Sequence, residues 1–132
     1  MASTVAARKQ KGRKLQDFVR DILRDIFKDE LEPDDITSAI MGQSGNDIRL
    51  SPASRKKILF DMEIKNQEKF NISGAIKQAN ANCGDGRIPS VIFSKNNDDV
   101  YISLKFLDFV KLVYPNWKPT VKISGKKVTP LS

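Results

Sequence analysis

The stretch Ile58–Lys65 constrains this chain more than any other. Ile58, Phe60, Met62 and Ile64 are apolar, and Asp61, Glu63 and Lys65 alternate with them. Successive side chains of a strand point to opposite faces, so this pattern predicts a strand with one apolar face and three charges on the other. The apolar face must be covered. Upstream, Leu15, Phe18, Val19, Ile22, Leu23, Ile26 and Phe27 recur at helical spacing. They predict an amphipathic helix from Gln10 to Asp29 that can supply the cover.

The remaining pattern alternates between the two periods. Glu32-Pro33-Asp34-Asp35 reads as a turn or a helix start, and Gly42-Gln43-Ser44-Gly45 as a loop. Asp47–Leu50 reads as a short strand with Ile48 and Leu50 on one face, followed by a polar connection over Ser51–Lys57. A second helix is expected over Ile72–Cys83, capped by Asn71, with Ile72, Ala75, Ile76, Ala79 and Cys83 facing inward and Gly84 as its stop. Strands over Ser90–Lys95 and Val100–Leu104 flank the turn Asn96-Asn97-Asp98-Asp99, and a short helix over Lys105–Val113 closes the series. The order predicts an α/β fold, a small central mixed β-sheet flanked by α-helices. With 132 residues, one domain is expected. We place it over 10–115, between a disordered basic N-terminus (1–9) and a basic C-terminal tail (116–132).

Composition narrows the chemistry. There is no histidine and a single cysteine, Cys83. A Ser/His/Asp triad, histidine acid–base catalysis and a Cys/His zinc cluster are therefore ruled out, and a reducing compartment is expected. No apolar run approaches the roughly 20 residues that cross a bilayer, and the basic start lacks the apolar stretch of a signal peptide. The expected location is the cytoplasm. The net charge of +7 is concentrated at the two ends: Arg8, Lys9, Lys11, Arg13 and Lys14, then Lys118, Lys122, Lys126 and Lys127. Such clusters either bind a polyanion, releasing its counterions, or keep the chain soluble.

The candidate chemistry lies at Asp47, Glu63 and Lys65. If the strands over Asp47–Leu50 and Ile58–Lys65 pair as a hairpin, the two acids converge at the sheet edge. Two carboxylates, with the backbone carbonyl of Ile64, suit a hard divalent cation such as Mg²⁺. The cation would polarise a phosphodiester and acidify water, while Lys65 would orient the water, help deprotonate it, or neutralise the transition state. The bland alternative is a solvated strand face carrying a Glu and a Lys two residues apart.

Ser44-Gly45-Asn46-Asp47-Ile48, then Met62-Glu63-Ile64-Lys65-Asn66, then a helix carrying Gln78, resembles the PD-(D/E)xK nucleases. The similarity is greatest to archaeal-type Holliday junction resolvases and small phage-encoded endonucleases. Lys11-Gly12 opening a long first helix and the run Ile64–Ile72 are similar as well, so the resemblance spans Lys11 to Val113. It implies a restriction-endonuclease-like fold, a nuclease domain over 10–115, and a homodimer cutting branched or duplex DNA with Mg²⁺, for which Mn²⁺ can substitute. By the same resemblance Asp47, Glu63 and the Ile64 carbonyl are metal ligands, Lys65 is the catalytic lysine, and Gln78 reaches toward the site. Lys11, Arg13, Gln16, Ser44 and Asn66 are the expected nucleic-acid contacts. Asn46 stands at the motif's proline, and Gln16 stands where the resolvases carry a glutamate. Glu30 or Asp61 could substitute for that acid. The alternative function is a non-catalytic nucleic-acid-binding module on the same scaffold. Gln78 can also be a plain flank residue, Tyr114 and Trp117 can stack on bases or pack down the last helix, and Cys83 is expected in the core.

Overall fold

The computed structural model describes residues 4–40, 45–69, 71–95 and 98–120. Helix α1 spans Val5–Ile26. It begins inside the stretch expected to be disordered because Thr4 caps it, the threonine hydroxyl accepting from the Ala7 N–H at 3.1 Å. Its C-terminal end is tied down by Arg24, whose Nε donates to the Ile36 carbonyl at 2.9 Å.

A single 3₁₀ turn, Pro33–Asp35, leads into strand β1 (Ile36–Ser38), which the sequence pattern does not reveal. Three residues are too few to show a period. Strand β2 (Ile48–Leu50) pairs antiparallel with β1, Thr37 opposite Arg49. The expected hairpin between β2 and the charged strand is therefore absent. The polar connection contains helix α2 (Pro52–Lys57), with Ser51 as N-cap and Pro52 opening it. Ser51 and Ser54 tie it to the 3₁₀ turn through Asp35: the Ser51 hydroxyl donates to its carboxylate at 2.7 Å and the Ser54 hydroxyl to its carbonyl at 2.8 Å.

The charged strand, β3, spans Phe60–Asn66. Helix α3 (Ile72–Asn82) carries the chain back to β4 (Ile88–Ser94), which runs parallel to β3 with Glu63 opposite Val91 and Asn66 opposite Ser94. Strand β5 (Tyr101–Ser103) adds antiparallel to β4, and α4 (Phe106–Val113) follows. The result is mixed α/β, with a two-stranded sheet and a three-stranded sheet ordered β3-β4-β5 in place of one central sheet.

The two faces of β3 and β4 meet different partners. On one face Leu15 and Val19 of α1 pack with Ile36, Ile48, Ile58, Met62, Ile64 and Ile92, so the even-numbered face of β3 is covered as its pattern requires. On the other face Ala75 and Ala79 of α3 pack on Val91, with Phe93 alongside. Two alanines let α3 approach closely. Ile72 and Ile76, expected inward, are each 38% exposed. The odd-numbered face of β3 thus lies under α3, with Asp61 and Glu63 buried and Lys65 half-buried. No helix of the described residues is long and apolar enough to cross a membrane.

Candidate active site

Asp47 is held at the free edge of β3 by its own backbone and side chain together. Its N–H donates to the Met62 carbonyl at 3.1 Å, and its Oδ2 accepts from the Ile64 N–H at 2.6 Å. Alternate residues of a strand direct both backbone groups to one edge. Met62 and Ile64 use the edge away from β4, so the Ile64 carbonyl also faces Asp47. The acids therefore converge without the expected hairpin: one residue bridges to β3, and its side chain takes the next ladder position.

Glu63 is 1% exposed, on the α3 face of β3. Its Oε1 accepts from Asn82 Nδ2 at 2.9 Å. The Asp47 and Glu63 carboxyl groups are close enough to act on one another's ionisation. Burial pushes the Asp47 carboxyl up, against the Ile64 N–H and the charges of Lys65 and Arg49. Burial also pushes Glu63 up, and the charge of Asp47 adds to the effect, while Asn82 and Lys65 oppose it. Two adjacent carboxyls that both resist ionisation form a site that gains from a shared proton or a cation. Lys65 is half-buried on the Glu63 face, close enough for its charge to favour ionisation of both acids.

Three oxygen donors, Asp47, Glu63 and the Ile64 carbonyl, fit a hard divalent cation in kind. Among the described residues no group of three or more Asp, Glu, Cys or His side chains could hold a metal ion. Neither proposed substitute joins them. Glu30 is exposed and pairs with Lys57 at 3.0 Å. Asp61 shares the Glu63 face, but its carboxylate is taken by Arg87 Nε at 2.7 Å and the Gly84 N–H at 2.8 Å. Arg87 is in turn fixed by the carbonyls of Arg55, Ile58 and Phe60. That buried pair is structural, joining β3 to the entrance of β4.

Gln78 is exposed on α3, and Asn82, one helical turn further, reaches Glu63 in its place. Helix α3 runs back along the strands, so its last turn meets Glu63 and the Gly84 that follows it meets Asp61. Asn82 is legible in the sequence only as a position i+4 from Gln78. Arg49 is the second residue the motif does not mark. Its charge acts on Asp47, and its guanidinium lies over Gly45, whose φ of +99° needs glycine and where a β-carbon would stand 3.3 Å from Arg49 Nη1.

The expected nucleic-acid contacts divide. Arg13 is exposed on α1, and Lys11 is half-buried there. Gln16 is half-buried, with no hydrogen bond to the carboxylate pair among the described residues. Asn66 is not an exposed contact: it is 6% exposed, and its Nδ2 donates to the Lys11 carbonyl at 3.2 Å, stitching the end of β3 to α1. Ser44 lies outside the described residues. Cys83 is half-buried at the end of α3 with its thiol pushed up by burial, which keeps it protonated and unreactive. Tyr114 is exposed and Trp117 half-buried beyond α4. No protein family, no curated relative and no solved structure matches this chain.

Proposed function

We propose that this chain is a metal-dependent DNA endonuclease of the PD-(D/E)xK kind, its α1–sheet–α3 core a small restriction-endonuclease-like scaffold. The observation that carries the reading is the pairing of Asp47 and Glu63, a half-buried and a fully buried carboxyl from separate stretches of the chain, beside Lys65. Burying like charges together is costly, and a fold retains them most readily where they are used. Mg²⁺ or Mn²⁺, when bound, supplies Lewis-acid polarisation of a phosphodiester and acidifies water. The chain's own groups do the rest. Asp47 and Glu63 present oxygens from a rigid strand edge. Lys65 brings a cation to the charge that builds on phosphorus, or a proton carrier to the attacking water. Arg49, beside Asp47, is placed to meet a phosphate oxygen.

Arg13 and Lys11 on α1 suit backbone contact, which favours recognition of DNA shape over base sequence. Cutting both strands calls for two copies related by a two-fold axis, so a homodimer on branched DNA is the substrate arrangement this reading implies. The test is a panel of four-way junctions, flaps and linear duplexes, with and without Mg²⁺. Cleavage is expected with the metal only, and Lys65→Ala is expected to remove cleavage while leaving DNA binding. A wild-type protein inert on every substrate with both Mg²⁺ and Mn²⁺ would overturn catalysis.

One observation favours a second reading. Gln16, at the position of a glutamate in the resolvases, is a poor cation ligand. A non-catalytic DNA-binding module needs no metal, and a calorimetric Mg²⁺ titration without heat would favour it.

A further inference from the structure

Asn82 makes two contacts that no motif residue makes. Its Nδ2 donates to Glu63 Oε1 at 2.9 Å and to the Gly45 carbonyl at 3.4 Å. A side-chain amide nitrogen carries two hydrogens, one for each acceptor. The acceptors lie on the two segments that supply the acids: Glu63 on β3, and the turn that delivers Asp47 two residues after Gly45. Asn82 is half-buried at the last position of α3, with the chain turning away at Cys83.

We propose that Asn82 is a positioning residue for the carboxylate pair. It fixes the Glu63 carboxylate through one oxygen, leaving the other toward Asp47, and sets the spacing between β3 and the Gly45–Asp47 turn. The proposal rests on the metal-site reading above. The argument is one of preorganisation. Glu63 has three side-chain torsions and a second acid beside it. Without a donor on Oε1, repulsion from Asp47 would turn the carboxylate away, and the pair would reassemble only as the cation bound. Asn82 supplies that donor in advance. Its position on a helix packed through Ala75 and Ala79 against Val91 ties the donor to the core rather than to a loop. A fixed hydrogen-bond partner behind a metal ligand commonly changes metal affinity or activity by about 10- to 100-fold.

The test compares wild type, Asn82→Ala, Asn82→Ser and, as a control on the same helix, the exposed Asn80→Ala. Mn²⁺ affinity is measured calorimetrically without DNA, DNA affinity is measured in EDTA, and cleavage is followed against Mg²⁺ concentration. Asn82→Ala is expected to weaken Mn²⁺ binding and to raise the Mg²⁺ concentration for half-maximal cleavage by about 10- to 100-fold. DNA affinity in EDTA should stay unchanged, as a loss of fold alone would not allow. Asn82→Ser, with a shorter donor and a smaller perturbation, keeps the comparison open if the alanine variant unfolds. If folded Asn82 variants bind Mn²⁺ like wild type and like Asn80→Ala, the positioning role is overturned and the metal site stands. If wild type itself binds no Mn²⁺, the metal site and this role fall together.

Discussion

The Asp47 carboxylate stands in for a strand beside β3, accepting the Ile64 N–H at 2.6 Å while its own N–H bonds the Met62 carbonyl. One residue thus has a structural duty, satisfying a backbone donor, and under the proposed function a chemical one, presenting charge. The two separate by substitution. Asp47→Asn keeps an oxygen for the Ile64 N–H and removes the charge from the like-charged pair. It is expected to melt at or above the wild-type temperature and to lose cleavage by at least about 100-fold. Asp47→Ala also orphans the Ile64 N–H, which costs about 1–3 kcal/mol. Thermal melts and initial cleavage rates on both variants check this. An Asn variant as active as wild type would remove Asp47 from the chemistry.

Stability should respond to pH and to divalent cation together. The ordinary values of Asp47 and Glu63 are 3.8 and 4.5, and both are raised in the folded chain. Between those values and the raised ones, the folded state holds more protons than the unfolded. The metal-free protein therefore loses stability from these two groups as pH rises through that window. Above it both charges are confined, and a cation that binds only the folded chain offsets them. Magnesium at 100 times its Kd adds about 2.7 kcal/mol. Melting curves should show this gain near neutral pH, and it should shrink as the acids protonate. A gain independent of pH would place the cation elsewhere.

The sequence showed much of the secondary structure and some of the residues that meet at the candidate site, for reasons that lie in particular residues. Long periodic elements were legible: the α1 stripe, the Ile58–Lys65 alternation and the Asn71-capped α3 all appear close to where the pattern puts them. The three-residue strand β1 and the six-residue α2 are shorter than the periods that would reveal them. Pairing was the larger miss. A strand's pattern says which face is apolar and not which strand lies beside it, so β3 joined β4 in parallel while β2 joined β1. The resemblance grouped Asp47, Glu63 and Lys65, and the hairpin expected to bring the two acids together is absent, Asp47 reaching the edge of β3 by its own backbone and side chain. The motif could not distinguish Gln78 from Asn82, since both lie on the same face of α3 and only the register of the crossover decides which meets Glu63. Asp61 and Glu63 look equivalent in sequence, and Arg87, distant in the chain, separates them by claiming one.

If α1 contacts DNA as proposed, the contact carries a salt signature. Arg13 is exposed and lacks a structural partner among the described residues, whereas Lys11 also anchors Asn66 through its carbonyl. A phosphate contact by Arg13 contributes about 0.9 to the slope of log K against log salt. Arg13→Ala should lower the slope by about that amount, uniformly across DNA sequences, without changing the metal requirement. Binding isotherms at four or five salt concentrations measure it. An unchanged slope would move the DNA-binding face off α1.

The Asp61–Arg87 pair makes the last prediction, because it separates Asp61 from the proposed ligand Glu63 on one strand face. Both side chains are buried, at 3% and 9% exposure, and joined at 2.7 Å. Removing the arginine takes its ion-pair partner from a carboxylate in the core, to which the Gly84 N–H still donates. Breaking a buried pair in this way costs about 3–5 kcal/mol. It also frees the three carbonyls that Arg87 now satisfies. Arg87→Ala is therefore expected to be among the most destabilising single changes in the chain, lowering the midpoint of urea unfolding sharply. Replacing both partners, Asp61→Asn with Arg87→Met, should recover part of the loss, since no isolated charge remains. At temperatures where the double variant is folded, its cleavage should match wild type, because neither residue touches the Asp47–Glu63 pair. Loss of cleavage in a folded double variant would make Asp61 a member of the site after all.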